Sequence, residues 1–242
     1  LIRIEDTDRE RFVADAEGKL YETLDWFGFS EDESPRRAGK FGPYRQSERL
    51  SLYKKYADVL INERHAYYCF CTRERLDQVR ALMQKQGKPP MYDKLCRFLK
   101  SSEVIEKLDK KTPYVIRLKV PEGSTITVPD GIRGKISFSS DQIDDQVLIK
   151  SDGFPTYHLA SVVDDYEMKV SHVLRGHDWL PSTPIHLLIY KYLGYRLPQI
   201  GHLTDILDPE GGKLSKRKGS VSVEGMLSEG YLPEALFNFV IL

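Results

Sequence analysis

LIRIEDTDRERFVADAEGKLYETLDWFG, residues 1–28, is the stretch whose reading decides the fold. Leu1, Ile2 and Ile4 form a strand-like apolar run, and Thr7 with Glu10 three residues on has the form of a capping box. Val13, Ala16, Leu20, Leu24 and Phe27 then recur at helical spacing until Gly28. The segment predicts strand, turn, helix. A polar stretch containing Gly and Pro follows (29–46), and a second amphipathic helix is predicted from Ser47 to Arg64, with Leu50, Tyr53, Ala57 and Leu60 on one face. AYYCFC (66–71) is β-prone, so the chain opens β-α-α-β, as nucleotide-binding α/β sheets do.

Beyond Thr72 the texture changes. A helix carrying Leu76, Val79 and Leu82 runs into the basic, Gly/Pro-containing segment KQGKPPMYDKLCR. Four predicted strands follow: YVIRLKV (114–120), STITV (124–128), KISFSS (135–140) and QVLIK (146–150). That length can carry a core of its own and reads as an insertion. From Ser151 the α/β rhythm resumes: DGFP is a turn, VSHVLRG a short strand, and Thr183-Pro184 starts a helix that runs to Leu193 and stops at Gly194.

Composition bounds the function. The chain has 242 residues, 40% hydrophobic and 30% charged, with 36 basic against 36 acidic side chains, so any polyanion site must be a local patch. No apolar run approaches a membrane span, and no membrane partner is expected. Three cysteines, an odd number, argue against a disulfide framework and for a reducing compartment, cytoplasmic or mitochondrial. The absence of an initiator Met and the apolar final residues read as an internal piece of a longer protein.

GGKLSKRKGS (211–220) sets Lys213, Lys216, Arg217 and Lys218 around Leu214 and Ser215. Two lysines three apart with a hydroxyl between them can close on a triphosphate as charge develops at phosphorus; a solvated basic turn is the plain alternative. It is not a Walker loop.

KLSKRKG resembles the KMSKS signature of class I aminoacyl-tRNA synthetases, in the form used by glutamyl-tRNA synthetases. RIEDTDRER (3–11), DGFPTYHLASVVDD (152–165), HVLRGHDWLPSTPIHLLIYKYLGY (172–195) and GYLPEALFNF (230–239) are similar to that family's motifs in the same order. The resemblance implies an α/β fold, a Rossmann-like parallel sheet with an inserted α+β domain that binds the tRNA acceptor stem. The implied division is a first catalytic half (1–68), the insertion (69–150), a second catalytic half (151–205), and the KMSKS-like loop with the start of a stem-contact region (206–242).

The implied activity is glutamate–tRNA ligation: ATP and Mg²⁺ activate L-glutamate as an adenylate, which is transferred to the 3′ end of tRNA(Glu). The implied enzyme is a cytoplasmic monomer. Lys213 and Lys216 are the implied catalytic residues, joined by Ser215, Arg217 and Trp179 in binding ATP. Glu5 is implied to hold the substrate ammonium and Arg175 its side-chain carboxylate, with Tyr157 and Ser161 lining the same pocket; a guanidinium fork suits a planar carboxylate. Rival readings are a glutaminyl enzyme, a glutamyl-queuosine tRNA(Asp) synthetase and an inactive tRNA-binding module. Use of tRNA(Gln) is left open.

Three departures stand out. Ser161 lies where the family often has Asn, and His177 where an acidic residue is common. None of the six histidines lies in an H-x-G-H pattern, so the HIGH segment is expected to precede Leu1. Cys69, Cys71 and Cys96 suit zinc by donor type or are ordinary thiols, and three thiolates are one ligand short. By resemblance Tyr92 is the fourth ligand, with Phe98 where others carry His. Lys85, Lys88, Lys94 and Arg97, among Tyr92 and Phe98, suit an RNA end.

Overall fold

The computed structural model describes residues 1–8, 13, 15–206 and 223–241. Its elements in chain order are α1 (Ala16–Trp26), α2 (Leu50–Asn62), β1 (Ala66–Cys69), α3 (Arg73–Lys85), α4 (Ser101–Asp109), β2 (Val115–Leu118), β3 (Thr125–Asp130) and β4 (Gly134–Ser139). They continue with β5 (Val147–Ile149), α5 (Tyr157–Glu167), β6 (His172–Gly176), α6 (Thr183–Tyr192), β7 (Gln199–Leu203), α7 (Val223–Ser228) and α8 (Pro233–Ile241).

Among the described residues, two sheets organise the fold. One has strand order β1-β2-β5 and is antiparallel throughout; the other runs β4-β3-β7-β6. In the second, β6 and β7 are parallel over five residue pairs, His172↔Gln199 to Gly176↔Leu203. β3 joins β7 in parallel at Asp130↔Ile200 and pairs antiparallel with β4. The chain is therefore the mixed α/β fold with a parallel component that the sequence predicts.

One hydrophobic cluster links both sheets to the helices. It runs from Tyr53, Ala57 and Leu60 on α2 through Ile116 and Leu118 on β2, Ile126 on β3 and Leu148 on β5. It ends in Leu159, Val162 and Val163 on α5 and Ile185, Leu188 and Ile189 on α6. A smaller cluster, Cys69, Tyr92 and Cys96, sits where β1 meets the turn at Leu95–Phe98.

The opening segment departs from its expected form. Leu1–Ile4 is not a strand: Ile4 makes a single parallel bridge to Arg45, because its partners lie in irregular backbone, with Ile4 N–H donating to Tyr44 O and Gln46 N–H to Ile4 O. α1 begins at Ala16 behind Asp15, which has a left-handed φ of 68°, rather than at Thr7; Glu10, the other half of the expected capping box, lies outside the described residues. No residue of α1 is buried, so its apolar spacing marks a surface helix. Gly28 and Gly194 end α1 and α6 with φ near +69° and +68°, where a side chain would be strained.

α2 is shorter than its predicted span but buries the predicted face. Its approach is fixed by Asp6, whose carboxylate accepts from the backbone N–H and hydroxyl of Ser47. α4 was not expected, although Glu103 closes its first turn onto Lys100 N–H at 2.9 Å.

Candidate functional site

The parallel pair β6/β7, the start of α5, α6 and residues 1–5 enclose a cavity of about 350 Å³. Its lining includes Arg3, Glu5, Tyr157, Ser161, Asp165, Arg175, His186 and Tyr190. Glu5, Tyr157, Ser161 and Arg175, named from sequence, are thus brought together from three separate segments: the N-terminal stretch, α5 and β6.

Arg175 leaves the sheet on β6 and is held on several sides. Its Nε donates to His202 Nε2 at 3.1 Å, Nη1 to His186 Nδ1 at 3.1 Å and more distantly to Tyr157 OH at 3.4 Å, and Nη2 to Thr183 Oγ1 at 2.7 Å. Burial and then the Arg175 charge hold His158 down to about 4, and the same causes keep His186 well below the usual imidazole range.

Glu5 shares one carboxylate oxygen with Arg3 at 3.0 Å, and Arg3 also donates to Asp165 at 2.9 Å. Behind them the fully buried Asp164 accepts from Arg49, Gln46 and Tyr53 at 2.8, 2.9 and 2.8 Å. Asp165, with Asp164 3.7 Å from Arg3 Nε, therefore anchors the N-terminal segment onto α5 through Arg3, and Glu5 with it. Burial and then the Glu5 charge push the Tyr157 phenol upward, keeping it a neutral hydrogen-bonding group. Ser161 Oγ and Tyr190 OH are buried with no hydrogen-bond partner among the described residues, so both have capacity for a bound ligand. Tyr190 was not foreseen; it sits on an apolar helix face that reads as core.

Trp179 is 40% exposed, and its ring lies 4.3 Å from that of Tyr157. His177 Nδ1 approaches Asp205 at 3.2 Å, so the imidazole faces an acid across the turn after β6. Lys213, Ser215, Lys216 and Arg217 lie outside the described residues.

The three thiols converge. Their sulfurs all lie within 4.8 Å of one another, Cys71 and Cys96 at 3.5 Å, and Tyr92 OH is 3.4 Å from Cys69 and 3.5 Å from Cys71. A hydrogen bond from Cys96, with further ones from Tyr92, Cys71 N–H and Arg117, outweighs burial and holds the Cys69 thiol below its usual range. The three convergent sulfurs are donors of the type zinc takes, one short of a tetrahedral set, while burial and then the neighbouring thiols raise the Tyr92 phenol above its ordinary range.

The proposed RNA-contacting cations divide. Lys85 and Lys88 are exposed, as is Phe98. Lys94 pairs with Glu122 at 3.2 Å, while Arg97 turns inward to Val120 O and Asp145, and Tyr92 is buried, which corrects its reading as a stacking surface.

A polar cavity at the edge of the parallel β6/β7 pair is the arrangement in which α/β folds bind their ligands. The family model for tRNA synthetases class I (E and Q), catalytic domain, matches residues 1–242, and the chain belongs to that family. It is 53% identical over 240 residues to the glutamate–tRNA ligase of Gloeobacter violaceus, covering 99% of this chain and 45% of that protein. With the glutamate–tRNA ligase of Chlorobium phaeobacteroides (strain DSM 266) it is 50% identical over 248 residues, covering 100% of this chain and 49% of that protein. The crystal structure of a glutamate tRNA ligase from Elizabethkingia meningosepticum in complex with its amino acid superposes with a TM-score of 0.92 at 43% identity, covering 98% of this chain and 52% of that one. The chain thus spans about half the length of the relatives it matches.

Proposed function

We propose that this chain is the catalytic part of a glutamate–tRNA ligase, and that the cavity between Glu5 and Arg175 takes the amino acid. The observation that carries this reading is the pairing of an acid and a guanidinium, from distant parts of the chain, in one cavity of amino acid size. The substrate ammonium lies against Glu5, whose carboxylate Arg3 orients. The substrate side-chain carboxylate takes the Arg175 edge, displacing the long Tyr157 contact, with Ser161 Oγ and Tyr190 OH as added donors.

In the first step a substrate carboxylate oxygen attacks the α-phosphorus of ATP and pyrophosphate leaves. In the second, a ribose hydroxyl at the 3′ end of tRNA attacks the acyl carbon and AMP leaves. The protein supplies position and charge, with no covalent enzyme intermediate. Lys213 and Lys216 balance the phosphate charge, and Ser215, Arg217 and Trp179 complete the ATP site; the likeness of 213–217 to the KMSKS motif supports this assignment. Mg²⁺ would enter with ATP and would supply further charge neutralisation.

Residues 1–68 and 151–205 form the two catalytic halves, 69–150 the acceptor-stem-binding insertion, and 206–242 the loop and stem-contact region. Cys69, Cys71 and Cys96, with Tyr92 as fourth donor, would hold a zinc that fixes the base of the insertion, which elemental analysis of the purified full-length protein tests: one equivalent supports it and none refutes it. Aminoacylation with labelled glutamate and glutamine in parallel tests the activity. Glutamate transfer that Lys216→Ala abolishes supports the reading; glutamine transfer at an equal rate contradicts it.

A further inference from the structure

Arg175 can donate but cannot accept, so every histidine nitrogen that faces it must carry a lone pair. This fixes protons that no electron density would show. His202 Nε2 accepts from Arg175 Nε at 3.1 Å, so its proton sits on Nδ1, where it is donated to Asp130 Oδ2. Asp130 and His202 are both buried, at 4% and 0% exposure. The other oxygen of Asp130 accepts the backbone N–H groups of Ile132, Arg133 and His202 at 2.9, 2.8 and 3.3 Å. Burial opposes the charge on Asp130, but these donors prevail and bring its carboxyl down to about 2. The pair sits where β3 meets β7, with Asp130 opposite Ile200.

We propose that Asp130 and His202 are positioning residues for the amino acid site: Asp130 locks His202 in its Nδ1–H tautomer, and the Nε2 lone pair so presented orients the Arg175 fork toward the substrate carboxylate. The reading rests on the proposed function in one respect, the identity of the carboxylate ligand. The hydrogen-bond order itself does not depend on it. The arrangement also connects β3, a strand of residues 69–150, to the amino acid cavity through His202 and Arg175, which no motif of the sequence indicates.

Asp130→Asn separates positioning from packing. The three backbone donors hold the amide oxygen in place, which turns the amide NH₂ toward His202 and forces the imidazole proton onto Nε2, against Arg175 Nε–H. His202→Gln places a carbonyl near the former Nε2 position and removes the conflict. In the full-length protein, ¹⁵N-histidine NMR should show His202 protonated on Nδ1 in wild type and on Nε2 in Asp130→Asn. The KM for glutamate should rise about tenfold or more in Asp130→Asn, the order expected when a hydrogen bond to a charged group is lost, with the KM for ATP unchanged. The double variant Asp130→Asn/His202→Gln should recover most of that loss, which a merely structural role for Asp130 would not give.

An unchanged His202 tautomer in Asp130→Asn, or a glutamate KM within twofold of wild type, overturns the positioning role. A wild-type protein that does not use glutamate overturns the proposed function instead; the imidazole spectra still decide the tautomer lock.

Discussion

Arg175 is fastened by His202, His186 and Thr183 before any ligand arrives, so its geometry, and not its charge alone, should matter. Arg175→Lys keeps the charge but loses the fork, and is expected to raise the glutamate KM about 10- to 100-fold with little change for ATP, read from initial-rate kinetics. His158 adds a pH dependence. Its folded value near 4 lies below the unfolded value near 6.5, so the unfolded chain binds more protons between the two. Stability is therefore fully present above about pH 6.5 and falls as pH drops toward 4. Urea midpoints of the full-length protein at pH 7 and pH 5 should show this loss, and His158→Asn should show less of it.

At the scale of elements, Asp164 ties α5 to α2 and the turn before it. Replacing it with Ala leaves Arg49, Gln46 and Tyr53 facing an empty site, and Arg49 as an uncompensated buried charge. A loss of about 3–5 kcal/mol in urea unfolding is expected. The same elements explain how far the sequence could be read. α2 was legible because Tyr53, Ala57 and Leu60 repeat at helical spacing on a face that is truly buried. α1 shows the same spacing without burial, so periodicity located a helix but not its start or its depth. The strand expected at residues 1–4 failed because a strand needs a regular partner, and the chain offers only the 44–46 turn. Glu5, Tyr157, Ser161 and Arg175 could be named because motif likeness marks individual residues. Asp130, Thr183, His186, His202 and Tyr190 could not: their joint role exists only after β3, β6, β7 and α6 assemble, and each alone looks like an ordinary strand or helix residue.

For the whole molecule, zero net charge means that attraction to a polyanion must come from local patches. Lys85 and Lys88 are exposed, whereas Arg97 serves the interior through Val120 O and Asp145. The double change Lys85→Glu/Lys88→Glu should weaken tRNA binding and flatten its salt dependence by roughly one unit of slope per lost contact, measured by filter binding across a salt series. Arg97→Ala should lower stability instead, by removing a partner of the buried Asp145.

Selection of an acidic amino acid by the cavity shared by Glu5 and Arg175 is the property on which the proposed activity depends. It is tested most directly by charging total tRNA with labelled glutamate or glutamine, using the full-length protein and its Arg175→Lys variant. Glutamate transfer by wild type, none of glutamine, and a glutamate KM that rises sharply in the variant are expected. Equal use of glutamine, or an unchanged glutamate KM in Arg175→Lys, would contradict it.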